Sequence, residues 1–144
     1  MNNNLWNISL LVKLFDNDIT ANDLIDFMYR DEVVQEHLKN NTLFVINSQN
    51  NNYSMWHMDD VTGTVNALYM EGNDLFANID IFLLTSNGKI TKELYDILHI
   101  ENNPIFYLTP HGMKNGNRIT NINAFTLWHQ PTYGSLGDMN LMSE

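Results

Sequence analysis

Threonine, proline, histidine and glycine stand in succession at Thr109-Pro110-His111-Gly112, directly after the apolar run Phe106-Tyr107-Leu108. A hydroxyl at the end of a buried strand, with Pro and Gly next, sets Oγ at a strand-to-loop corner. Amides of such a loop can point at a developing oxyanion. The hydroxyl's own pKa is far too high for unaided attack, so a base must come within about 3 Å of it. His57 and His111 are the histidines whose positions suit that task. The competing use of Thr109 is to satisfy a turn hydrogen bond. His37 on a helix, His99 at a helix end and His129 near Pro131 read as packing or capping residues. His57-Met58-Asp59 offers two candidate ligands close together, but no third is identifiable, so neither a metal nor a cofactor is expected. The motifs G-x-S-x-G, the P-loop and H-E-x-x-H are all missing from the chain.

The elements that must position these residues are legible from periodicity. Apolar segments at 61–69, 75–84, 105–108 and 119–128 are separated by Glu71-Gly72-Asn73-Asp74, Ser86-Asn87-Gly88-Lys89 and Lys114-Asn115-Gly116-Asn117. Leu75, Ala77, Ile79 and Ile81 alternate with Phe76, Asn78, Asp80 and Phe82, the period of strands half-buried in a sheet. The Gly72-Asn73-Asp74 turn is tight enough for a β-hairpin. Further strands are predicted over 5–15 and 42–46, and Gly63 is tolerable as a bulge or edge position. Thr20 with Asp23 three residues on predicts an N-cap with a carboxylate in the first turn. One broken helix or two short ones then cover 20–39, stopped at Asn40-Asn41, and another helix is predicted over 90–98. Residues 47–53 read as a surface loop. The expected fold class is α+β: a mainly antiparallel sheet or partly closed barrel with two or three flanking helices. The domain spans 1–131, and 132–144 read as a flexible C-terminal tail.

Composition narrows the function classes. At 144 residues the chain can bury a real core, and with 44% hydrophobic and 17% charged residues it is ordinary for a globular protein. Its apolar runs fall well short of the roughly 18–20 residues that a membrane-spanning helix needs. The start, MNNNLWNISLLVKLFD, lacks a basic region and a small-residue cleavage site, so no secretory signal is expected. A net charge of −10 with only seven Lys and Arg leaves no basic stripe, so no nucleic-acid partner and no membrane partner is expected. The carboxylates are too dispersed for a nucleic-acid mimic; solubility is their plainer role. There is no cysteine and hence no disulfide frame.

The order of these pieces resembles the tailed-phage prohead (capsid maturation) proteases, which share a fold with the herpesvirus assembly proteases. The matching pieces are Gly63-Thr64-Val65, Gly72-Asn73-Asp74-Leu75, the helix over 90–98, Tyr107-Leu108-Thr109-Pro110 and the strand over 119–131. Upstream, Tyr29-Arg30 and the helix after it resemble the family's entry into the helix before its catalytic-histidine strand. The similarity covers roughly residues 28–131. It implies a Ser nucleophile where this chain has Thr109, and a His base on the loop after the 42–46 strand. That loop here reads Asn47-Ser48-Gln49-Asn50, so the catalytic-His position is degenerate. A hydroxyl–imidazole pair without its proton acceptor loses several powers of ten in rate.

The resemblance and its departures together imply a non-catalytic phage head-assembly protein that binds capsid, scaffold or protease subunits. Its expected place is the host cytoplasm during assembly, with the virion head as a further destination. Trp56, Trp128 and Tyr133 are the expected exposed aromatics of the contact surface. Two other readings stay open: an active Ser/Thr-type endopeptidase using Thr109 with a relocated base, and an acidic inhibitor of a host protein.

Overall fold

The computed structural model describes residues 5–14, 19–47, 61–84, 105–130 and 141–143. The strands are β1 (Leu5–Val12), β2 (Phe44–Asn47), β3 (Val61–Glu71), β4 (Asp74–Phe82), β5 (Ile105–Asn115), β6 (Arg118–Gln130) and β7 (Leu141–Ser143). Between β1 and β2 lie two helices, α1 (Ala21–Arg30) and α2 (Glu32–Asn40). Six strands run in the order β1-β4-β3-β2-β6-β5, and β5 pairs back onto β1, so the sheet closes into a barrel. The β1–β5 and β2–β6 pairings are parallel and the other barrel pairings antiparallel. The fold is thus α+β with a mainly antiparallel, mixed barrel, and closure is complete rather than partial. Closure pairs most of the edge that an open sheet of this size exposes.

Both hairpins turn on the same dipeptide. Glu71 pairs with Asp74 and Asn115 with Arg118, leaving the two-residue loops Gly72-Asn73 and Gly116-Asn117. Gly72 (φ 64°) and Gly116 (φ 63°) occupy the left-handed region, and the asparagines after them do not. A glycine with positive φ at the first loop position is what a type II′ turn asks for, and that turn's twist suits the flanking strands.

The helix break falls at Asp31. Thr20 Oγ1 accepts from Asp23 N–H (3.1 Å), and Asp23 Oδ2 accepts from Thr20 N–H (2.9 Å), a reciprocal cap on α1. Asp31 ends α1 in extended backbone and caps α2, its Oδ2 accepting from Val34 N–H at 3.1 Å. Asn41 (φ 58°) closes α2 in the left-handed conformation, and His37 Nδ1 bonds Thr42 Oγ1 at 2.7 Å beside it. Of the two expectations for 20–39, one broken helix or two short ones, the chain forms two helices, and the Thr20 cap and the stop at Asn40-Asn41 are found where expected. Leu24, Phe27, Met28 and Val34 bury their side chains in the same cluster as the barrel interior. Tyr29 adds a polar tie: its hydroxyl donates to Leu68 C=O (2.7 Å) and accepts from Leu68 N–H (3.0 Å). Leu68 lies past the segment of β3 that β2 pairs, so this hydroxyl satisfies a backbone edge that closure leaves over.

Inside the barrel, Leu75, Ala77, Ile79 and Ile81 alternate as predicted, whereas β3 and β6 break the period. Val65 and Leu68 both face inward, as do Ile119, Ile122 and Phe125, each three residues from the last. The register accounts for this. Asn66 on β3, and Thr120 and Asn123 on β6, are extra residues with no opposite partner, and each bulge restores the inward face one position late. Outside the barrel, amides form a ladder: Asn7 Nδ2 donates to Asn78 Oδ1 and to Asp80 Oδ1, both at 2.8 Å, and Asn66 Nδ2 donates to Asn78 Oδ1 at 3.1 Å.

Three expectations change. The strand predicted to end at Leu108 continues to Asn115, the first strand stops at Val12 instead of reaching Phe15, and Leu141–Ser143 pairs in parallel with β5 at Gly112–Lys114 although a mobile tail was predicted there. The predicted helix over 90–98, the turn at Ser86–Lys89, and most of the predicted 47–53 loop lie outside the described residues.

Candidate functional site

Thr109 sits in the middle of β5, not at a strand-to-loop corner. Leu108 turns its carbonyl to Lys13 N–H (2.8 Å) on the β1 side, so its neighbour Thr109 turns its own amide toward Thr126 of β6, its register partner. That amide therefore belongs to the barrel ladder and is not poised as an oxyanion donor. Pro110 is accommodated by the same alternation: its imide nitrogen falls on the edge of β5 between the residues paired to β1 (Tyr107, Leu108) and those paired to β7 (Gly112 onward), where a missing N–H costs no ladder bond. A proline read as a loop signal is in fact a tolerated strand residue.

The side chains of Tyr107, Thr109 and His111 share the outer face of β5, opposite Trp128, Thr126 and Ala124 on β6. Phe44 and Ile46 of β2 and Thr62 and Thr64 of β3 continue that face across the sheet. It is nonetheless a buried layer: Tyr107, Thr109 and Thr126 are at most 2% exposed, and Ile46, Thr62, Thr64 and His111 are buried as well. Four threonines with a tyrosine, a tryptophan and a histidine make this layer far more polar than the barrel interior.

The Thr109 and His111 side chains at its centre are each held by a hydrogen bond from or to β6. Thr109 Oγ1 accepts the indole N–H of Trp128 at 2.8 Å. His111 Nδ1 lies 2.7 Å from Asn123 Oδ1, so Nδ1 carries the proton and donates. Asn123 is the extra residue of a β6 bulge, and that insertion is what brings its carboxamide to the imidazole. The tautomer leaves a lone pair on Nε2, which is buried and has no hydrogen-bond partner among the described residues. Burial lowers the imidazole pKa below its ordinary value of 6.5, and the Asn123 bond offsets part of that shift. The Lys13 ammonium lies 4.6 Å from the centroid of the Tyr107 ring, a cation–π contact at the β1 end of the layer.

The structure thus brings Thr109, His111 and Trp128 onto one face, but the described bonds do not join His111 to Thr109. Trp128, predicted as an exposed contact residue, is half-buried with its N–H committed to Thr109. Trp56, His57, His99 and Tyr133 lie outside the described residues. The role of Asn123 was not read from the sequence; its one signal was the three-residue spacing of Ile122 and Phe125 within a strand. Among the described residues no three His, Asp or Glu side chains converge as a metal site requires, and no helix is long and apolar enough to cross a membrane. Comparison with protein-family models, with curated proteins and with solved structures finds no match.

Proposed function

We propose that this chain works by binding, as a non-catalytic head-assembly protein of a tailed phage, and that its partners are capsid, scaffold or protease subunits. The order of motifs resembling the prohead proteases supplies the biological setting. The observation that carries the non-catalytic half is the commitment of Thr109. Its hydroxyl accepts from Trp128, it is 0% exposed, and its amide belongs to the β5–β6 ladder. A hydroxyl nucleophile needs a base in reach, donors opposite the attacked carbonyl and a path for substrate. Here the hydroxyl at the family's nucleophile position serves packing.

The test uses purified full-length chain with assembled, uncleaved proheads, comparing wild type with Thr109→Ala and His57→Ala. All three are expected to sediment with the particles in equal amount and to leave the shell and scaffold chains intact. Thr109→Ala is expected to lose about 1 kcal/mol of stability with its hydrogen bond, not a reaction. Cleavage by the wild type that vanishes in either variant overturns the reading in favour of a Thr-dependent endopeptidase. Failure of every variant to sediment with proheads removes the head-assembly assignment.

A further inference from the structure

The chain holds two arginines, Arg30 and Arg118, and the fold brings both to one cleft. Arg30 is the last residue of α1, and Arg118 opens β6 directly after the Gly116-Asn117 turn. They line two adjoining cavities of about 300 and 660 Å³, which share Phe27 and Ile119 as buried apolar floor. Val33, 59% exposed, lies on the rim of the larger one. Both arginines are exposed, and neither guanidinium makes a hydrogen bond or ion pair among the described residues. Placement in the last turn of α1 suits Arg30 to the helix dipole. That explains neither Arg118 nor the convergence of the two.

The remaining charges define what fits. Asp23 and Asp26 line one cavity, and Asp31 and Glu32 the other. Asp23 and Asp31 are already used as helix caps, which leaves Asp26 and Glu32 flanking the guanidiniums. Four carboxylates against two guanidiniums give the cleft a net charge of −2, so phosphate-rich polyanions are repelled. A single carboxylate can still dock on the planar forks in bidentate fashion, provided that its neighbours are cationic or apolar. We propose that this cleft binds a protein segment presenting one carboxylate flanked by lysine or arginine, with an apolar side chain seated over Phe27 and Ile119. The proposal stands on the cleft alone, whichever assembly the partner belongs to.

The probe is the peptide acetyl-Lys-Leu-Glu-Lys-amide, titrated into isotope-labelled full-length chain and followed by NMR at the arginine Nε–Hε and backbone amide signals. Saturable shifts are expected at Arg30, Arg118, Val33 and Asn117. Replacing the peptide's glutamate by glutamine, or making Arg30→Gln or Arg118→Gln in the protein, is expected to weaken binding about tenfold, as loss of a charge-assisted bidentate pair does. Inorganic phosphate is expected to give no saturable shift. Equal binding of the glutamine peptide, unchanged binding in the Arg30→Gln/Arg118→Gln double variant, or phosphate competing for the cleft overturns the proposal. Because both arginines are exposed, these variants keep the fold, and their failure to matter leaves the proposed assembly role untouched.

Discussion

Gly112→Ala is expected to destabilise the barrel by about 3 kcal/mol, the upper end of what a forced methyl costs in a packed site. A Cβ built at Gly112 falls 1.9 Å from the carbonyl oxygen of Asn121 and 2.8 Å from its carbonyl carbon. Both are backbone atoms, so no side chain can rotate out of the way. Asn121 lies between the two extra residues of β6, Thr120 and Asn123. The close approach thus falls within the bulged stretch of β6, whose extra residue Asn123 also bonds His111. Urea unfolding of the variant beside wild type checks this. A loss below about 1 kcal/mol, the ordinary effect of a point substitution, would mean that β6 can relax and that the bulges are soft.

The second large effect is a pH dependence centred on His111. Burial holds its folded-state pKa below 6.5, so as the pH falls through 6.5 the unfolded chain takes up this proton before the folded one does. The stability that a neutral His111 supports is fully present above pH 6.5. It is lost as the pH falls toward the folded-state pKa, at a slope of at most about 1.4 kcal/mol per pH unit for one proton. Among the described residues the only neighbour bonded to the ring is the uncharged Asn123, and Nε2 has no acceptor to which a second proton could be donated. NMR titration of the His111 ring should give a midpoint below 6.5. The stability difference between wild type and His111→Gln, whose carboxamide can still donate to Asn123, should move in favour of the variant as the medium is acidified. Parallel pH profiles for the two chains would show that the imidazole is not held neutral by its surroundings.

What the sequence showed and what it concealed follow from range. Local signals were readable because their causes lie within a few residues: the Thr20–Asp23 cap, an interruption of the helix within 20–39, the stop at Asn40-Asn41 and the turns of both hairpins. The alternation of β4 was equally plain, since that strand has no extra residue. The bulges at Asn66, Thr120 and Asn123 were not readable, because an unpaired residue is defined by the strand opposite and not by its own neighbours. Pro110 misled for the same reason. Whether a proline ends a strand depends on which edge its nitrogen faces, and that is settled by where β1 and β7 pair with β5. Thr109 and His111 were found from residue type and spacing, but their partners Trp128 and Asn123 come from another strand and a bulge in it. The meeting of Arg30 and Arg118 is a property of the closed barrel with its helix pair, and no window of sequence contains it.

Covalent trapping asks most directly whether Thr109 packs or reacts. The folded chain is treated with an alkyl fluorophosphonate, which phosphonylates an activated hydroxyl with loss of fluoride, and its intact mass is read beside that of Thr109→Ala. A hydroxyl that accepts from Trp128 in a buried layer gives no adduct, so the two chains should both keep their untreated masses. One phosphonyl group mapped to Thr109 Oγ, and missing from the alanine variant, would contradict the structural role and identify a nucleophile.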